Sequence, residues 1–164
     1  MIEILEMQEK EVEEVLARVN YGHFGCSLND QPYVVPINYA YEQPYIFIYT
    51  TAGLKSEILK ENPLVCLQVE EFDDNGWRSV VVTGTAEPIV DSEEREKAVT
   101  IIRSTNPSLL PALALKWKND WVRKNVEMVY RIEITKKTGL QSSEIQMAAA
   151  SAHPVAAASD PRSA

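Results

Sequence analysis

Two periods of hydrophobic spacing succeed one another along the chain. Gln8 to Val19 follows the helical one: Val12, Val15, Leu16 and Val19 share a face, and Glu9, Glu11, Glu13 and Glu14 sit toward the positive end of the helix dipole. Gly22 and Gly25 break that pattern around His23 and Phe24, and extended segments begin. Phe24–Leu28 leads to the hairpin signal Asn29-Asp30. Tyr33–Tyr41 is rich in Tyr, Val and Ile and turns at Glu42-Gln43-Pro44. Tyr45–Thr50 is almost wholly β-branched or aromatic. Pro36 has no N–H for a ladder, so its strand is predicted to be interrupted there or to lie at an edge. Backbone groups beside such an interruption are free for a ligand.

Leu54–Glu61 predicts a short helix with Leu54, Ile58 and Leu59 inward, ended by Asn62-Pro63. Val65–Glu71, the turn Asp73-Asp74-Asn75-Gly76 and Trp77–Ala86 read as two further strands. The run Val80, Val81, Val82 predicts burial on both faces. Asp91–Ser104 is a second long helix, with Asp91 and Glu94 spaced as in a capping box. Leu109–Trp121 also reads as helical. In Val126–Ile134, Met128, Tyr130, Ile132 and Ile134 alternate with Val129, Arg131 and Glu133, the pattern of a last strand.

Short turns between strands imply antiparallel pairing, and about six strands without βαβ alternation predict a mainly β fold. The architecture expected is a six-stranded antiparallel β-barrel, closed or split, with helices outside it. It occupies one domain, residues 1–141. From residue 142 the chain is Ala, Ser and Pro with almost no large apolar residue. It cannot bury enough surface to offset its ordering entropy, so 142–164 is predicted to be a disordered tail.

The length of 164 residues fits a single domain, and 45% hydrophobic content supports a sizeable core. The net charge of −8 disfavours nucleic acid and anionic membranes as partners, but a local cationic pocket can still hold an anionic cofactor. Cys26 and Cys66 form no CxxC pair and are expected to be buried free thiols. Neither a membrane-length apolar run nor a signal-peptide pattern is present, which points to the cytoplasm. His23 and His153 are too few for a metal cluster, and His23 reads as a turn or packing residue.

Three groups of residues could carry chemistry. Thr50, Thr51, Gly53, Lys55 and Ser56 combine hydroxyls, an approachable backbone, unpaired N–H groups at a helix start and a cation, which is what a phosphate monoester needs. The P-loop spacing is absent. Pro36, Ile37, Asn38 and Tyr39 could offer backbone donors and acceptors to a planar heterocycle while Ile37 packs on its face. Trp77, Arg78 and Ser79 could stack on a ring and hold an anion. Each group also has a plainer reading: a strand-to-helix turn, an edge strand, and a strand start with an outward arginine.

Taken together, YVVPINYAY, IYTTAGLKSEILKENPLVCLQVEEF, WRSVVVTGTAEPI and VYRIEITKKTG stand in the order and spacing of a known family. From the first helix to Gly139 the chain resembles the FMN-binding split-barrel proteins related to pyridoxamine 5′-phosphate oxidase, especially the Nim-type nitroimidazole-resistance branch. The resemblance implies a homodimer with FMN in clefts between protomers. It implies that Pro36, Ile37, Asn38 and Tyr39 line the isoalloxazine, and that Tyr49, Thr50, Thr51 and Lys55 hold ribityl and phosphate. Trp77, Arg78 and Ser79 would border the same cleft, from either chain. The Arg-rich C-terminal segment of true pyridoxamine phosphate oxidases is missing, which argues against vitamin B6 oxidation. The implied function is an oxidoreductase passing electrons from reduced FMN to a small-molecule acceptor, with no catalytic side chain assigned. The alternatives are a non-catalytic flavin- or haem-binding dimer and a scaffold that has lost its cofactor.

Overall fold

The structure is a computed structural model and describes residues 2–73, 76–106 and 127–144. Its elements run β1 (Ile2–Glu6), α1 (Glu9–Val19), β2 (Tyr21–Leu28), β3 (Gln31–Glu42), β4 (Tyr45–Thr51), α2 (Leu54–Glu61), β5 (Leu64–Asp73), β6 (Gly76–Pro88), α3 (Ser92–Thr105) and β7 (Glu127–Glu144). β2 pairs with β3 and β5, β3 with β4, β4 with β7, and β6 with both β5 and β7, all antiparallel. These six strands therefore close into a ring, the predicted split barrel. β1 is a seventh strand, laid antiparallel along the end of β7.

β1 has too short an alternation to be read from the sequence; its register comes from β7. The boundary expected at Gln141 falls inside β7, which continues to Glu144. Ser142 belongs to the barrel, because its hydroxyl accepts a hydrogen bond from the Trp77 N–H at 2.9 Å. The helix predicted over Leu109–Trp121 and the tail beyond 144 lie outside the described residues.

The ring is filled by Phe24, Ile46, Ile48, Leu67, Val69, Val80, Val82, Tyr130 and Ile132, all buried. α1 lays Val12, Val15 and Leu16 on one mouth of the barrel, and α2 brings Ile58 and Leu59 to the other. Leu54 is not inward as predicted but 55% exposed, while Ser56 takes the buried position on that turn. α3 packs outside, its Ala98 and Ile102 against Ala40 and Val129. The Asp91 carboxylate caps this helix by accepting from the Glu94 N–H at 2.9 Å.

Because α3 covers only β3, β4 and β7, the outer face of β2, β5 and β6 carries no helix among the described residues. That is why Val81 is 41% exposed, although the valine run predicts burial on both faces. Cys66, on the same face, is exposed too, whereas Cys26 points into the barrel and is buried as expected. Where β6 meets β7 the register shifts at Thr83/Gly84, a bulge that bends the pair into closure. The backbones approach so closely there that a Cβ on Gly84 would lie 2.3 Å from the Glu133 carbonyl oxygen.

α1 is held over its mouth by charge as well as by packing. Arg18 donates to both carboxylate oxygens of Glu71, at 3.1 and 2.6 Å, and Arg78 donates to the same carboxylate at 2.9 Å. The Arg18 hydrogen bonds, helped by Arg78, hold Glu71 below the usual carboxylate range against the burial that would raise it. A folded-state value below the unfolded one means stability that is present above the unfolded value and lost as pH falls through the folded one. Glu71→Gln is therefore expected to cost about 1–2 kcal/mol at neutral pH. The gap to wild type should close below about pH 4, which urea melts at both pH values will measure. Chains ended after Gln141 and after Glu144 isolate the last residues of β7. The shorter should melt about 2–4 °C lower.

Candidate functional site

β3 and β4 are paired only between Tyr39↔Ile48 and Glu42↔Tyr45. From Asn38 back to Gln31, β3 keeps β2 on one side; from Tyr49 to Thr51, β4 keeps β7. Past Tyr39 the two strands part, leaving Pro36–Asn38 on one edge of a gap and Tyr49–Thr51 on the other. Among the described residues the β3–β4 ladder does not pair Pro36–Asn38 with Thr50 and Thr51 across the gap, so backbone groups there can meet a ligand. Pro36 stands on a one-sided stretch, the position its missing N–H predicts.

The chain leaves this gap through Gly53 into α2. Gly53 is extended (φ 170°), and the Ser56 hydroxyl bridges it, accepting from its N–H at 2.9 Å and donating to its carbonyl at 2.7 Å. A Cβ on Gly53 would meet nothing within 4 Å, so the space before it is open. Lys55 follows, half-buried. Burial pushes its ammonium below the usual lysine range, opposed only by the weaker influence of Cys26 when ionised. A desolvated ammonium that no carboxylate of the described residues meets is stabilised by any anion brought to it. Ser56, by contrast, is occupied in holding the corner.

The side chains divide according to the period of the strands. Ile37 and Tyr39 point into the barrel, Tyr39 donating its hydroxyl to the Leu16 carbonyl at 2.9 Å, so neither side chain lies on a ligand's face. Tyr39 also accepts on its carbonyl from the Asn106 side chain at 2.7 Å. Only Pro36 and Asn38 of that group turn outward. Tyr49 packs against the small core beneath α3, and Thr51 is exposed. Trp77, Arg78 and Ser79 cannot act as one face, because successive strand residues alternate. Arg78 turns inward to Glu71, with Asp73 at 3.9 Å and Gln141 at 3.4 Å, and its charge is committed there. Trp77 and Ser79 are left on the outer face.

Two residues that the sequence left aside connect these groups. On the outer face Pro36 stands opposite His23, and His23 opposite Gln68. His23 Nδ1 lies 3.1 Å from Gln68 Oε1, and Gln68 Nε2 donates to Ser79 at 3.2 Å and to Glu70 at 3.1 Å. A hydrogen-bonded row thus crosses the outer face from β2 through β5 to β6, beside Pro36 of β3. The one sequence signal for it is a polar residue at an alternating strand position. A separate cavity of ≈ 320 Å³ lies between α3 and the start of β4, lined by Tyr45, Phe47, Ala98 and Arg131. Its arginine is already paired with Glu87 at 3.1 Å. Among the described residues no His, Cys, Asp and Glu cluster could hold a metal, and no helix is long and apolar enough to cross a membrane.

The sequence profile of the pyridoxamine 5′-phosphate oxidase family matches residues 8–141. The chain belongs to that family. Among solved structures it is similar to an FAD-binding protein of Mesorhizobium loti, with 28% identity and a TM-score of 0.74 over 88% of this chain and 100% of that one. It shares its fold with a candidate 5-nitroimidazole antibiotic resistance protein of Bacteroides thetaiotaomicron, at 22% identity and a TM-score of 0.65 over 88% and 93% of the two chains. An uncharacterized protein of Rhizobium meliloti is 39% identical over 79 residues, which are 48% of this chain and 52% of that protein. The chain thus matches about half the length of this curated relative.

In this family member the profile takes in the gap, the corner, Lys55 and the polar row, and leaves out β1. The corner itself can be tested without a ligand. Ser56→Ala removes the hydroxyl that bridges the Gly53 N–H and carbonyl and is expected to cost about 1 kcal/mol in a urea melt.

Proposed function

We propose that the chain is an FMN-binding flavoprotein, a homodimer with its cofactor between protomers, that passes electrons from reduced FMN to a small acceptor in the cytoplasm. The observation that carries this reading is Lys55, half-buried and without a counter-ion among the described residues, just past the gap where β3 and β4 part. The groups present fit the cofactor. Lys55 and the N–H groups at the start of α2 would hold the phosphate. Thr50 and Thr51 would hydrogen-bond the ribityl chain. The backbone of Pro36, Ile37, Asn38 and Tyr39 would meet the polar rim of the ring, and Trp77 and Ser79 would border it. Arg78, already bound to Glu71, acts on the site only through the fold.

A bound flavin supplies the electron chemistry. The protein binds and orients it and excludes water, and no side chain is assigned as catalytic acid or base. Dimerisation is supported by the outer face that no helix covers among the described residues, where Val34, Leu64 and Val81 are exposed beside an open groove of ≈ 520 Å³. A second reading, FAD in place of FMN, is favoured by the FAD-binding protein of Mesorhizobium loti. Chromatography of the flavin released by denaturation separates the two. Reduction by a nicotinamide donor or partner reductase, followed by reoxidation with a trial nitro compound or quinone, separates an enzyme from a flavin store. A colourless protein that takes up no flavin would defeat both readings.

Lys55→Ala is expected to weaken FMN binding by about 1–3 kcal/mol, the size of a lost charge-assisted hydrogen bond. Because burial lowers the Lys55 pKa, wild-type affinity should fall as pH rises through that lowered value, and Lys55→Arg should flatten the decline. Flavin fluorescence quenching across alkaline pH measures both effects. An unchanged affinity in Lys55→Ala removes Lys55 from the site.

A further inference from the structure

The polar row on the outer face determines which ring nitrogen of His23 carries a proton. Glu70 can only accept, so the Gln68 amide that bonds it must present Nε2, at 3.1 Å. The second Nε2 hydrogen goes to the Ser79 hydroxyl at 3.2 Å. Gln68 Oε1 is therefore the atom facing His23 Nδ1 at 3.1 Å, and an amide oxygen can only accept. Nδ1 must be the donor. In the neutral ring Nε2 is then a bare acceptor, and it has no protein partner among the described residues. The Tyr21 ring stands edge-on to the imidazole, centroids 6.0 Å apart, and limits its swing.

This acceptor lies on the outer face, one strand in from the open edge of β3. His23 is the cross-strand partner of Pro36, and Tyr21 that of Asn38. An oxidised isoalloxazine has a single ring N–H, on the imide of its pyrimidine end, and that polar end suits a surface carrying Asn38, His23, Gln68 and Ser79.

Resting on the flavin reading above, we propose that His23 is a specificity-determining residue. Gln68, Glu70 and Ser79 hold it as the Nδ1–H tautomer, and its Nε2 accepts a hydrogen bond from the imide N–H of the bound flavin. The class of ligand it selects is a planar heterocycle with a donor edge. The row is what sets the tautomer, so Gln68 is a positioning residue.

Long-range proton–nitrogen NMR on histidine-labelled protein tests the first half without any ligand. A His153→Gln sample leaves a single signal set, that of His23. The expected pattern is a protonated Nδ1 and a bare Nε2, changing in Gln68→Leu. A protonated Nε2 in the wild-type chain overturns the proposal. The second half uses FMN and N3-methyl-FMN as probes. FMN should move the Nε2 resonance, and wild type should prefer FMN over the methylated form by about tenfold or more, one hydrogen bond. His23→Phe, or His23→Gln should the first not fold, should lose that preference. Retained preference in a folded variant, or FMN binding that leaves Nε2 unmoved, overturns the assignment while the flavin reading stands. If wild type binds neither probe, the flavin reading fails, and the tautomer result is unaffected.

Discussion

Closure of the sheet through β7 is the constraint on which the molecule depends. This one strand pairs with β4 along its first part, with β6 along its middle and with β1 at its end. A ring of six strands must tilt and bend to close, and the bulge at Thr83/Gly84 supplies part of the bend. Bending β4 toward β7 draws it away from β3. The ladder between β3 and β4 therefore ends at Tyr39↔Ile48, and the gap beyond it is a product of closure.

The two mouths of this barrel are treated differently. At one, α1 is clamped by Arg18, Glu71 and Arg78, where each charge has a partner and the arrangement is finished. At the other, α2 brings up Lys55, half-buried and without a carboxylate among the described residues. The contrast is between a guanidinium committed to the fold and an ammonium left available to a ligand. It also explains why residues of similar charge, each next to a hydroxyl in the sequence, have different uses. The outer face, free of helices among the described residues, joins the two ends, and the row from His23 through Gln68 to Ser79 crosses it beside Pro36.

Much of this was legible without coordinates. The strand segments, α1, α2, α3 and the antiparallel barrel follow from apolar spacing and turn residues, since those properties are local. Pro36 marked an edge because its chemistry forbids a second ladder. Lys55 beside a glycine corner was legible as a cation at a helix start. Errors arose where a side chain's direction or cover depends on a distant element. Val81 reads as buried until α3 is seen to cover other strands, and Leu54 reads as inward until Ser56 takes that place. Trp77, Arg78 and Ser79 look like one group in a row but are divided by the pleat.

What the sequence determined by itself, then, is the set of elements, their antiparallel order and the residue types able to hold an anion. The tertiary structure decided which of those residues remain available. Arg78 is withdrawn by Glu71, Ile37 and Tyr39 by the core, while Lys55 is left unpaired among the described residues and His23 is bound into a row with Gln68. The reason is physical: propensity acts over a few neighbouring residues, but charge pairing, burial and cross-strand register join residues far apart in the chain. Those long-range terms appear only when the barrel closes.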